Sequence, residues 1–215
     1  MATDFLFDGP EDARLTVLLA HGAGAPMDSA SMTAAARALA QQGMRVARFE
    51  FGYMAARRSG DGRKPPPKAE KVMPDYIAAI EDLGPTKGPL IIGGKSMGGR
   101  VASMVADQLF EAGRIAGLLC LGYPFHPPGK PEQLRTAHLE AMKTPALICQ
   151  GMRDEFGMRD EVSGYRLSPS ISLLWLEDGD HDLKPCKTIS GFSAADHLDT
   201  MAKAVLDWAG RLKRG

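Results

Sequence analysis

Cysteine, net charge and long apolar runs are all scarce in this chain of 215 residues, and each shortage closes off a class of protein. The three cysteines, Cys120, Cys149 and Cys186, are an odd number with no CxxC pair, which argues against a disulfide framework. Cys120 and Cys149 sit inside apolar runs and read as reduced core residues. The 26 Lys and Arg are matched by 26 Asp and Glu, so the basic excess of a nucleic-acid binder is missing. No apolar stretch approaches the ~20 residues of a membrane helix. Residues 1–10 carry neither a basic segment nor a long apolar one, so no secretory signal peptide is expected. No His, Cys or Asp cluster has zinc spacing, so neither metal nor cofactor is expected. These absences point to a soluble cytoplasmic protein with no nucleic-acid or membrane partner. Repeats and low-complexity segments are also missing.

What is there is ordinary globular composition, 44% hydrophobic and 24% charged. At about 150 residues per domain the length fits one domain, 1–215. A chain of this size buries roughly 70% of its unfolded surface and needs no staples. Short apolar runs at 15–20, 46–51, 90–94, 115–121, 146–149 and 171–176 end in turn residues and read as strands buried on both faces. Helical stripes alternate with them. Met32, Ala35, Ala36 and Leu39 form one, with Ser29 or Asp28 as cap and Gly43 as stop. Met73, Tyr76, Ile77, Ile80 and Leu83 form a second, with Pro74 tolerated in its first turn. Val101, Met104, Val105 and Leu109 form a third, and Leu198, Met201, Val205, Trp208 and Leu212 a fourth. The stretch 52–67, rich in Arg, Lys, Gly and Pro, reads as an irregular loop over one end of the sheet. The alternation implies an α/β fold with about six to seven mostly parallel strands and helices on both faces.

Gly94-Lys95-Ser96-Met97-Gly98 matches G-x-S-x-G, with an apolar strand before it and a helix pattern after it. A serine at such a turn has an exposed hydroxyl, and the flanking glycines let strand and helix cross closely. Met97 then offers its backbone N–H where negative charge is favoured. The same residues fail as a phosphate-binding loop, because Pro89 stands where the first glycine belongs and 90–92 is strand. Gly22-Ala23-Gly24-Ala25-Pro26-Met27 fails G-x-G-x-x-G at Met27. A nucleotide-dependent enzyme is therefore disfavoured.

A serine needs a base, and histidine is the usual one. Of five histidines, His181 lies beyond a strand end and also fits the order Ser, Asp, His. Asp154, after the 146–149 run, is the candidate to orient it, with Asp160 and Glu155 as competitors. A second oxyanion donor is expected from the turn after the first main strand, at Ala23, with Gly24 the nearest alternative.

Four stretches carry a family resemblance. They are His21-Gly22-Ala23-Gly24, 94–100 with its Gly-Lys-Ser-Met-Gly-Gly-Arg, 122–131 from Gly-Tyr-Pro to Lys-Pro, and Asp178-Gly179-Asp180-His181-Asp182-Leu183-Lys184. Through them the chain resembles the α/β-hydrolases over essentially its whole length. More narrowly it resembles a small lid-less branch of dienelactone-hydrolase-like proteins. That branch is similar to the hydrolase-like part of a regulatory subunit of a nuclear histone-acetyltransferase complex. The resemblance implies a single α/β-hydrolase domain. Its triad would be Ser96, Asp154 and His181, its oxyanion hole Met97 and Ala23.

No long insertion follows Gly122, so a small or open-site substrate is expected. Gly24, Tyr123 and His126 are candidate substrate contacts, although prolines beside His126 also suit a structural turn. Arg57, Arg58, Arg63 and Lys64 either recognise an anionic part of the substrate or form a solvated loop. The expected activity is a serine hydrolase cleaving a small ester, thioester or related acyl compound. The alternative is a catalytically silent binding or scaffold module on the same fold.

Overall fold

The structure, a computed structural model, describes residues 2–58, 60 and 65–212. Seven strands form one sheet: β1 (Phe5–Asp8), β2 (Thr16–Ala20), β3 (Arg45–Phe49), β4 (Leu90–Lys95), β5 (Gly117–Leu121), β6 (Ala146–Gly151) and β7 (Ile171–Leu176). Their order is β1-β3-β2-β4-β5-β6-β7. All neighbours pair in parallel except β1, which runs antiparallel to β3. The parallel strands therefore end at one edge, where open α/β sheets place their functional loops.

The main helices are α1 (Ala30–Gln41), α3 (Met73–Leu83), α4 (Met97–Glu111) and α7 (Ala194–Ala209), the last preceded by the single turn α6 (Lys187–Ser190). Strand side chains alternate between faces, so neighbouring residues enter different cores. Leu18, Phe49 and Ile92 pack with Tyr76 of α3 and Val101 and Leu109 of α4. Val17, Leu19 and Val46 pack on the other face with Met32 and Leu39 of α1 and Met201, Val205 and Trp208 of α7. Helix α7 starts on a reciprocal cap between Ser193 and Asp196. Ser29 is the residue at the α1 cap position, but its side chain makes no capping bond.

Three expectations change. Strand β1 has no counterpart among the sequence runs, because it is a four-residue, partly exposed edge strand without a clean period. Strand β7 is half-exposed rather than buried on both faces, since it closes the other edge of the sheet. Residues 52–58 of the presumed irregular loop form helix α2 (Gly52–Arg58), with Met54 buried beneath it. Asp75 of α3 accepts from the Gly52 N–H at 2.9 Å, so a distant carboxylate starts a helix too short to show a period. Arg63 and Lys64 lie outside the described residues. No helix among the described residues is long and apolar enough to cross a membrane.

Candidate active site

Strand β4 delivers Ser96 at its end, and α4 begins with the next residue. Ser96 has φ 51° and ψ −117°, a conformation rare for a side chain with a Cβ. The surroundings force it. A Cβ on Gly94 would sit 2.7 Å from the Gly98 carbonyl carbon, and one on Gly98 2.6 Å from the His21 oxygen. Strand and helix thus cross at backbone contact, and the serine takes the sharp corner between them.

His181 Nε2 lies 2.8 Å from Ser96 Oγ, and His181 Nδ1 lies 2.8 Å from Asp154 Oδ2. A carboxylate accepts only, so Nδ1 carries the proton and Nε2 is left to accept from the serine hydroxyl. Asp154 is fully buried, and its second oxygen accepts from the Phe156 N–H at 2.9 Å. Gln150 at the end of β6 donates to Asp154 Oδ2 at 2.9 Å. The same side chain accepts from the Tyr123 N–H at 2.7 Å, so one amide ties the β5 and β6 loops together. Phe156 stacks on the His181 ring, centroids 4.1 Å apart.

The loop carrying His181 is closed on itself. Asp180 Oδ1 accepts from the N–H groups of Asp182 (2.8 Å) and Lys184 (2.9 Å). Asp178, at φ 54°, accepts from the Cys186 N–H at 2.6 Å. Buried His197 holds the Leu183 carbonyl at 2.9 Å from α7. Lys95 reaches across from β4, donating to the His181 carbonyl at 3.1 Å and pairing with Asp182 at 2.8 Å. Desolvation opposes the Asp182 charge, but Lys95 and then Lys184 outweigh it and hold that carboxyl below its ordinary range. Behind the histidine, Gly122 (φ +65°) leaves no room for a Cβ, which would meet the His181 oxygen at 2.7 Å.

Ala23 faces Ser96 from the loop after β2, and a Cβ on its neighbour Gly22 would come within 3.7 Å of Ser96 Cβ. Among the described residues, neither the Met97 nor the Ala23 N–H is spent on another acceptor. The loop is pinned from both sides. Tyr53 Oη donates to the Ala23 carbonyl at 3.0 Å. His21 Nε2 accepts from the Phe51 N–H at 3.2 Å while its Nδ1 meets the Gly22 carbonyl at 2.6 Å. That pairing fixes His21 as the neutral Nδ1–H tautomer, and burial lowers its proton affinity accordingly.

A cleft of about 520 Å³ opens over Ser96, lined by Ala23, Met97, Pro124 and Phe156 together with residues 66–70, Arg100 and Arg135. Several sequence candidates lie elsewhere. Tyr123 is fully buried and donates from Oη to the Arg135 carbonyl at 3.0 Å, so its side chain supports the wall rather than lining it. His126 is buried, with Nδ1 2.8 Å from the Pro127 carbonyl and Nε2 3.4 Å from Glu161; it is a turn residue. Gly24 is exposed and outside the cleft lining. Asp160, in α5 (Arg159–Val162), and Glu155 are exposed, leaving Asp154 alone of the three against His181. Arg58 is committed to Asp28 (2.6 Å) and Glu50 (2.8 Å), and Arg57 lies over the Tyr53 ring.

The sequence model of a family described as alpha/beta hydrolase domain matches residues 13–210. Solved structures similar over nearly the whole chain include an α/β serine hydrolase without a lid from Xanthomonas campestris (23% identity, 96% of this chain and 89% of that one, TM-score 0.67). A dienelactone hydrolase from Anabaena variabilis matches at 19% identity over 99% of this chain and 93% of that one, TM-score 0.71. The esterase domain of a Rhodothermus marinus protein matches at 18% identity over 99% of both chains, TM-score 0.67. At these identities the likeness is one of fold.

Proposed function

The chain belongs to the α/β-hydrolase family, as a small member without a lid, and from that premise we propose that it is a serine hydrolase of small esters or thioesters. One observation carries the reading: the relay from Ser96 through His181 to Asp154, with 2.8 Å at both steps, at the foot of an open cleft. Ser96 Oγ would attack the acyl carbon as His181 Nε2 takes its proton. The Met97 and Ala23 N–H groups would hold the oxyanion. His181 would return the proton to the leaving oxygen or sulfur as that bond breaks, leaving an acyl-serine. Water would then repeat the sequence and release the acid. Asp154 keeps the imidazole in the required tautomer and offsets the charge it gains.

The test is labelling with a fluorophosphonate and hydrolysis of short 4-nitrophenyl esters. Wild type should label stoichiometrically, and Ser96→Ala should abolish labelling and lower turnover by roughly 10⁴-fold or more. A folded wild type that neither labels nor hydrolyses would instead favour a binding module on this fold.

A further inference from the structure

The cleft beside Ser96 carries charge that ester hydrolysis alone has no use for. Three cations line it, Lys68, Arg100 and Arg135, against the single carboxylate of Glu70. Glu70 is engaged with Arg100 at 2.9 Å, yet Arg100 Nε is buried with no hydrogen-bond partner. Arg135 is half-buried, and among the described residues its guanidinium has neither an ion pair nor a hydrogen-bond acceptor. Its backbone is nonetheless fixed. The Arg135 N–H donates to the Phe125 carbonyl at 2.8 Å, and its own carbonyl is held by buried Tyr123. Burial, and after it the charge of Arg100, pull the Arg135 guanidinium below the ordinary arginine range. Two guanidiniums that repel one another in a part-desolvated cleft are stabilised by an anion between them.

We propose that this wall is an oxyanion subsite, in which Arg135 with Arg100 binds a carboxylate or phosphate on the same small molecule whose acyl carbon Ser96 attacks. The subsite rests on the hydrolase reading for its second half only. Arg100 follows Ser96 by four residues in α4, a rise of about 6 Å along the helix. The anionic group must therefore lie a few bonds from the scissile carbonyl, so the substrate is a short anionic ester or thioester rather than a long neutral acyl chain. Glu70 offsets part of the Arg100 charge at 2.9 Å and leaves Arg135 as the principal anchor for the anion.

The experiment compares mono-4-nitrophenyl adipate, whose chain ends in a free carboxylate, with the same ester capped as a methyl ester. Wild type should show a kcat/KM about tenfold or more higher for the free acid. That ratio should fall toward one in Arg135→Gln and be partly kept in Arg135→Lys. A wild-type ratio of one or below, or a ratio that Arg135→Gln leaves in place, overturns the subsite. Folding of each variant is checked by circular dichroism, and the ratio cancels any loss common to both esters. Titration of Ser96→Ala protein with glutarate and with inorganic phosphate separates this reading from the hydrolase one and the carboxylate from the phosphate. Binding that Arg135→Gln abolishes supports the subsite even where no ester is cleaved. Ester cleavage without anion preference retains the hydrolase and overturns the subsite, and neither binding nor cleavage overturns both.

Discussion

Lys95 shows what a single side chain adds to the Ser96–His181–Asp154 relay. It occupies a variable position of the serine motif, yet its ammonium spans to the His181 carbonyl and to Asp182. Removing it leaves the serine in place and loosens the histidine. Lys95→Met is expected to lower kcat about tenfold through misplacement of the base, with little change in melting temperature. Lys95→Arg should recover part of the loss, and steady-state kinetics beside thermal melts check both. Gly98→Ala should act differently, because its Cβ would press on the His21 carbonyl and cannot be accommodated without moving β2 or α4. A loss of about 3 kcal/mol or more is expected in urea denaturation. Ser96, Asp154 and His181 were readable in the sequence because chain order and turn position single them out. Lys95 and Phe156 were not, since each reaches His181 across the fold, and Gln150 and Arg135 are tied to Tyr123 and Phe125 in the same non-local way. A buried glutamine ending the apolar run of β6 was the one available hint.

At the scale of elements, periodicity was informative where a segment is long enough and buried on a definite face. Helices α1, α3, α4 and α7 and the six parallel strands lie where their apolar spacing puts them. Strand β1 and helix α2 escape that logic, since partners elsewhere in the chain define them: the β3 edge for one, Asp75 for the other. Helix α7 illustrates the energetic side. Trp208 packs its ring over Gly117 at the start of β5, where even a Cβ would stand 2.7 Å from it. Trp208→Ala should cost about 3–5 kcal/mol, read from the urea midpoint. The same helix holds the Leu183 carbonyl through His197, so this variant should also lower the rate of fluorophosphonate labelling.

The molecule as a whole keeps two histidines neutral inside it. Burial lowers the proton affinity of His21 below 6.5, and burial followed by the charge of Arg100 does the same for His138. The unfolded chain binds protons at these positions more readily than the folded one. Their contribution to stability is therefore complete above pH 6.5 and is lost as the pH falls below it. The urea midpoint should drop between about pH 7.5 and about pH 5, and a His21→Asn, His138→Asn double variant should flatten that slope.

The relay joins residues 85 and 27 positions apart, on loops after β4, β6 and β7. No early, locally folded fragment can contain it, because Ser96 and His181 meet only when the last strand has docked and α7 has closed over that face. On the hydrolase reading, reactivity of Ser96 is therefore a clock for the end of folding. During refolding from urea, far-UV ellipticity should recover first, and capture by fluorophosphonate should follow the slowest phase.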